Sequence, residues 1–221
     1  MNIFDILGPV MVGPSSSHTA GAVKIGLVTR KLLGETPKDA LIYLHGSFSA
    51  TGVGHGTDRA LIAGILGMHT DDERIPESFE IAKKENLTFS FEHHEIQDAH
   101  PNTAVLFLEG ESGKKLKVQA SSIGGGRIMI NKIDDIVVNF SGEKPTLIVY
   151  NKDQPGLVAT VSVMLATLHV NIASMRLFRD ERGGDAVMII ETDQCIDEDT
   201  LKSMEFVKGI GKVTYINVEE L

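Results

Sequence analysis

Two stretches of the chain gather hydroxyl and imidazole groups among glycines. GPSSSHTAG, residues 13–21, sets Ser15, Ser16, Ser17 and Thr19 around His18. GSFSATGVGHGTDRA, residues 46–60, places His55 between Gly54 and Gly56, followed by Thr57 and Asp58. Imidazole is the side chain that exchanges a proton near neutral pH. Hydroxyls beside the unpaired N–H groups of a helix start can hold a carboxylate or a phosphate. A helix start needs one capping hydroxyl, and the first stretch has four. Each stretch reads as a glycine-rich loop running into a helix with one histidine at its N-terminus. His18 and His55 are therefore candidates for acid–base or hydrogen-bonding work. The plainer reading of the first stretch, an over-furnished helix cap, stays open.

The other histidines carry less. His93 and His94 are neighbours on an expected strand and face opposite sides. His100 lies in the turn-like AHPNT, His45 at a strand end, and His69 and His169 at helix ends. None has the i, i+4 spacing of a zinc-binding helix, so no metal ligand is assigned. SSIGGGRI, residues 121–128, is glycine-rich with no helix pattern after it, which reads as a bulge or a surface that another backbone approaches.

The elements that must position these groups follow from periodicity. AGAVKIGLVTRKLLG is an amphipathic helix closed by Gly34, and HGTDRALIAGILG a second, with Thr57 or Asp58 as N-cap and Gly67 near its end. DALIYL starts a strand that breaks into small polar residues. NLTFSFEHHEIQ alternates as a half-buried strand does. TAVLFLEGESGKKLKVQASSIGG is a hairpin turning at residues 110–113, and IMINKIDDIVVNF supplies one or two further strands. SGEKP, residues 141–145, reads as a linker. Beyond it the pattern is strand, helix, strand, strand, helix, strand, the ferredoxin-like order. The chain is thus expected to be α+β, with a mixed α/β domain over residues 1–141 and a ferredoxin-like domain over 146–221.

Composition narrows the function. The 221 residues are 42% hydrophobic, enough to bury a core, and 21 Lys+Arg against 30 Asp+Glu leave a net charge of −9. A nucleic-acid or basic membrane-surface role is excluded for want of a basic patch. Cys195 is the single cysteine, so no disulfide forms within the chain, which suits a reducing, cytoplasmic location. MNIFDILGPVMVG has neither a basic n-region nor a long apolar run, so neither a signal peptide nor a membrane span is expected.

The segment IVYNKDQPGLVATVSVMLATLHVNIASM resembles an ACT domain. The resemblance rests on the D-x-P-G turn at Asp153, Pro155 and Gly156 and on the strand entry at Asn171 and Ile172. It implies side-by-side pairing into a homodimer, with Asp153, Gly156, Asn171 and Ile172 at an amino-acid effector site. A domain that only dimerises, with Pro-Gly as a simple turn, remains the other reading.

GPSSSHTAGA, GSFSATGVGHGTDRA, HPNT and SIGGGRI, followed by an ACT-like segment, resemble the beta chain of iron–sulfur-dependent L-serine dehydratases across essentially the whole sequence. The first domain of that family also resembles the allosteric substrate-binding domain of some phosphoglycerate dehydrogenases. The resemblance implies conversion of L-serine to pyruvate and ammonia. It places a [4Fe–4S] cluster in a separate alpha chain, its open iron acting as Lewis acid. It makes His18 and His55 catalytic, one as proton-transfer group and one orienting the substrate carboxylate. It makes Ser16, Ser17 and Thr19 substrate-binding, and has Asp58 hold His55 in one tautomer or cap its helix. A cluster needs at least three cysteine thiolates, and this chain has one. The rival readings are a stand-alone amino-acid-sensing regulatory module and a purely structural partner of the alpha chain.

Overall fold

The computed structural model describes residues 10–217. The leading MNIFDILGP, on which part of the expectation about targeting rests, lies outside the described residues. The chain divides into two compact units, one reaching Asp135 and one starting at Ile136. The boundary expected from composition lay a few residues later, at 141–145.

In the first unit a π-helical turn, Ser16–Ala20, runs directly into α1 (Gly21–Leu33). Then come β1 (Pro37–Leu44), α2 (Gly46–His55) and α3 (Thr57–Leu66). A short 3-10 turn, Ile75–Glu77, leads into α4 (Ser78–Lys84). The strands β2 (Thr88–His93), β3 (Thr103–Gly110), β4 (Lys115–Gly124) and β5 (Arg127–Ile133) complete it. Their order across the sheet is β2-β1-β3-β4-β5. β1 and β2 are parallel, while β3, β4 and β5 are joined by antiparallel ladders. Alternation puts Ala40, Ile42, Leu44, Leu106, Leu108 and Val118 into the core.

α1 and α3 pack closely because each presents a glycine to the other. A Cβ at Gly26 would meet the Leu61 carbonyl oxygen at 2.4 Å, and one at Gly64 the Val23 carbonyl oxygen at 2.0 Å. The helices end where the sequence punctuates them, with Gly34 at φ 76° and Gly67 at φ 94°.

Three expectations change. Residues 46–55 form the helix α2 where a loop was expected. Neither Thr57 nor Asp58 is the N-cap of α3; Gly56, at φ 70°, holds that position. α4 is an element that periodicity did not announce. SSIGGGRI turns β4 into β5 with Gly124, Gly125 and Gly126 all left-handed, at φ 96°, 62° and 72°. A register shift between Ser122 and Gly124 supplies the expected bulge.

The second unit opens with β6 (Ile136–Phe140) and continues as β7 (Thr146–Lys152), α5 (Leu157–Thr167), β8 (Ile172–Arg179), β9 (Asp185–Thr192), α6 (Glu198–Glu205) and β10 (Ile210–Ile216). The last four strands lie in the order β10-β7-β9-β8, every neighbour antiparallel. This is the ferredoxin-like arrangement expected from the sequence. Leu147, Val149, Met188 and Ile190 of the sheet meet Val161 and Leu165 of α5 and Met204 of α6 in its core.

Candidate active site: a histidine pair on a π-helical turn and a helix end

Ser15 has extended backbone (φ −141°, ψ 122°) and caps the π-helical turn, its Oγ accepting the His18 N–H at 3.1 Å. Capping is therefore done by one serine. Ser16 and Ser17 are half-buried and make no side-chain hydrogen bond among the described residues. Thr19 is buried and donates its hydroxyl to the His55 carbonyl oxygen at 3.2 Å, which ties this turn to the end of α2. Short π segments inside helices recur at functional sites, and this one aims His18 at α2.

α2 answers with three polar side chains at i, i+4 and i+8: Ser47, Thr51 and His55. His18 Nε2 lies 3.0 Å from Ser47 Oγ and 3.2 Å from Thr51 Oγ1. Thr51 donates its own hydroxyl proton to the Ser47 carbonyl at 2.9 Å, so its oxygen faces His18 as an acceptor. A hydrogen bond from His18 to Thr51 then requires the proton of a neutral His18 on Nε2. Nδ1 then faces Ser15 Oγ at 3.5 Å, the outer limit of a hydrogen bond. The ring edge meets Phe48, which is fully buried, at 5.5 Å between centroids.

His55 is exposed, and its Nδ1–H donates to the Thr51 carbonyl at 3.0 Å. In a neutral His55 the lone pair is then on Nε2, in an exposed side chain. The His18 and His55 rings stand 5.0 Å apart, tilted by 37°. Burial first, and the charge of a protonated His55 second, hold the His18 imidazole below the ordinary histidine pKa. His18 is the neutral, fixed member of the pair, and His55 the accessible one.

Asp58 does not engage the His55 imidazole. Its carboxylate accepts the neighbouring Arg59 N–H at 2.8 Å in the first turn of α3 and does not cap that helix, so neither of its two expected roles is seen. Ser47 and Thr51 were missed because residues 46–55 were read as loop. Taken as a helix, the i, i+4, i+8 recurrence of Ser, Thr and His is the signal that finds them. The HPNT segment supports them from behind: Pro101 O accepts the Ser47 N–H at 2.7 Å. Four of the remaining histidines bind the scaffold through their rings. His45 Nδ1 accepts the Ile96 N–H, His100 Nδ1 accepts the Asn102 N–H, and His94 stacks on Tyr43. His93 turns the other way, to Ser49 Oγ at 2.7 Å on α2.

In the second unit the four effector candidates do not converge within one chain. Asp153 Oδ2 accepts from Arg179 Nη1 at 2.6 Å and from the Gly183 N–H at 3.0 Å. The Gly183 N–H and the Arg179 guanidinium hold its carboxyl below the ordinary range. Gly156 caps α5 at φ 94°. Asn171 Nδ2 donates to Asp193 at 2.6 Å, and Ile172 pairs with Thr192. Asp153 sits at the β8–β9 hairpin end and Asn171 at the other end of β8. That strand has 8 residues, so the two are separated by roughly 23 Å.

A first unit with a histidine pair between a π-helical turn and the end of α2, followed by a ferredoxin-like unit entered through D-x-P-G, defines a two-unit α+β protein. The family model described as "Serine dehydratase beta chain" matches residues 2–86, and that described as "ACT domain" matches residues 145–208. The chain is 40% identical over 215 residues to the probable L-serine dehydratase beta chain of Bacillus subtilis, covering 97% of each. It is 37% identical to the L-serine dehydratase beta chain of Peptoniphilus asaccharolyticus, again covering 97% of each. A more distant match, 23% identical, covers 89% of this chain and 37% of the D-3-phosphoglycerate dehydrogenase of Bacillus subtilis. The chain belongs to the L-serine dehydratase beta-chain family and carries an ACT domain.

Proposed function

We propose that this chain is the beta subunit of a two-chain L-serine dehydratase that converts L-serine to pyruvate and ammonia. The observation that carries the reading is the pairing of a fixed, neutral His18 with an accessible His55 at 5.0 Å. Loss of water from serine requires removal of the Cα proton and departure of the β-hydroxyl. His55 takes the Cα proton on Nε2, the nitrogen left free by its Nδ1–H bond to Thr51. His18, gripped by Ser47 and Thr51, orients the substrate beside it. Ser16 and Ser17, with uncommitted hydroxyls at the mouth of the first turn, hold the carboxylate. Thr19 acts from behind, through the His55 backbone, and Asp58 through the start of α3. The aminoacrylate left by elimination becomes an imine, which water hydrolyses to pyruvate and ammonia.

This chain does not fit the iron–sulfur cluster its relatives' chemistry suggests. Cys195 is exposed, and no group of three or more His, Cys, Asp or Glu among the described residues is placed to hold a metal. We assign a [4Fe–4S] cluster, and assistance to the departing hydroxyl, to an alpha-chain partner. The second unit pairs with its copy into a homodimer through α5 and the edge strand β8, where Val158, Val163 and Leu177 are exposed. Asp153, Gly156, Asn171 and Ile172 take an amino acid only when two copies bring the opposite strand ends together. A reducing cytoplasm suits the exposed thiol.

The test is co-expression with an alpha chain under anaerobic conditions and measurement of pyruvate formed from L-serine. An active pair, inactive single chains, and loss of activity in His18→Ala and His55→Ala with alpha still bound support the proposal. Full activity of alpha alone, or wild-type rates in both variants, overturns it. A chain that binds L-serine but no alpha chain is instead the stand-alone amino-acid sensor.

A further inference from the structure

Among the described residues, Thr51 is the one that hydrogen-bonds both imidazoles. Its hydroxyl oxygen lies 3.2 Å from His18 Nε2, and its carbonyl oxygen 3.0 Å from His55 Nδ1. A threonine that bonds the carbonyl four residues back is common on a helix surface and does nothing by itself. Here that bond, to Ser47 O at 2.9 Å, has a consequence. It occupies the only proton Thr51 owns, so the oxygen turned to His18 accepts. Ser47 Oγ lies 3.3 Å from Thr51 Oγ1 and 3.0 Å from His18 Nε2; with its own proton given to Thr51 Oγ1 it accepts from His18 as well. The side chain is exposed and belongs to no core, and threonine is a poor helix former. Neither burial nor propensity explains this residue, whereas its hydrogen bonds do.

We propose that Thr51 is the positioning residue of the histidine pair, setting the proton of His18 on Nε2 through its hydroxyl and that of His55 on Nδ1 through its carbonyl. The two rings are thereby given opposite tautomers, so that one nitrogen of His55 is left basic and open. The role in catalysis rests on the reading of the pair as the dehydratase site; the tautomer assignment rests on the Thr51 hydroxyl donating to Ser47 O and on the Thr51 carbonyl accepting from His55.

Thr51→Val keeps the shape and the carbonyl but removes the hydroxyl. Thr51→Ser keeps both polar groups. In the full chain labelled with 15N-histidine, ring-nitrogen spectra report the tautomers directly. Thr51→Val changes the His18 signals and leaves His55 as Nδ1–H, while Thr51→Ser restores both. In the assembled alpha–beta enzyme, Thr51→Val lowers kcat about tenfold, the scale of one hydrogen bond lost at a reacting group. It shifts the acid limb of the kcat profile, with KM and melting temperature close to wild type, and Thr51→Ser recovers the rate. Unchanged His18 ring signals in Thr51→Val overturn the inference. If instead His18→Ala and His55→Ala leave the enzyme active, the dehydratase-site reading falls, and the spectra still decide the role of Thr51.

Discussion

The imidazole of His18, on a π-helical turn before α1, lies 5.0 Å from that of His55, on the last residue of α2. Desolvation first, and the nearby positive charge of a protonated His55 second, disfavour a proton on His18. Thr51 gives each ring its own acceptor, so the neutral pair is asymmetric. One ring is fixed and the other is available.

Residues that act as a unit are not additive when removed. His18→Ala and His55→Ala are each expected to lower kcat by about 10²–10⁴. The double variant should lose little more than the worse single variant. Pyruvate formation by the assembled enzyme measures all three, and multiplying losses would show that the rings act independently.

The depressed pKa of His18 makes stability depend on pH in a defined direction. The unfolded chain binds a proton at the ordinary value of 6.5, while the folded chain binds it only at lower pH. Between those points the unfolded state holds more protons, so stability rises with pH and is lost as pH falls below about 6.5. Urea midpoints from pH 8 to pH 5 should fall less steeply for His18→Gln than for the wild type.

The glycine contact between α1 and α3 sets the distance between the two helices that follow His18 and His55. Gly64→Ala places a methyl group 2.0 Å from the Val23 carbonyl oxygen, in backbone that has no rotamer to yield. The expected loss is about 1–3 kcal/mol in urea unfolding, the usual cost of overpacking. Activity should fall further than stability alone accounts for.

Pairing through the ACT unit is open to a surface change. Val163 on α5 is 64% exposed and belongs to no core of its own chain. Val163→Asp should dissociate the proposed homodimer in sedimentation equilibrium without lowering the melting temperature. A wild type that sediments as a monomer at all concentrations would remove the interface.

Much of the architecture was legible along the chain. α1 and α3 show helical periodicity and end at Gly34 and Gly67, whose left-handed backbone closes a helix. The β3–β4 hairpin and the order of the second unit followed from alternation and turn residues. His18 stood out among the hydroxyls of four Ser and Thr residues, and His55 because its two flanking glycines leave it little to pack against. α2 was not legible. Its residues GSFSATGVGH are poor helix formers, and local propensity favours a loop. The helix forms because Phe48 is buried and because Pro101 O receives the Ser47 N–H.

The sequence by itself determined the two units, the ACT-like order of the second, and the two histidines worth testing, since each is written in local pattern and residue type. Only the tertiary structure decided that the second cluster is helical, that Ser47 and Thr51 join the histidines, and that Thr19 bonds the His55 carbonyl while Asp58 bonds the Arg59 N–H. It also decided that Asp153 and Asn171 stand at opposite ends of β8. These are outcomes of packing between segments far apart in the chain, and hydrogen-bond partners across such distances leave no periodicity to read.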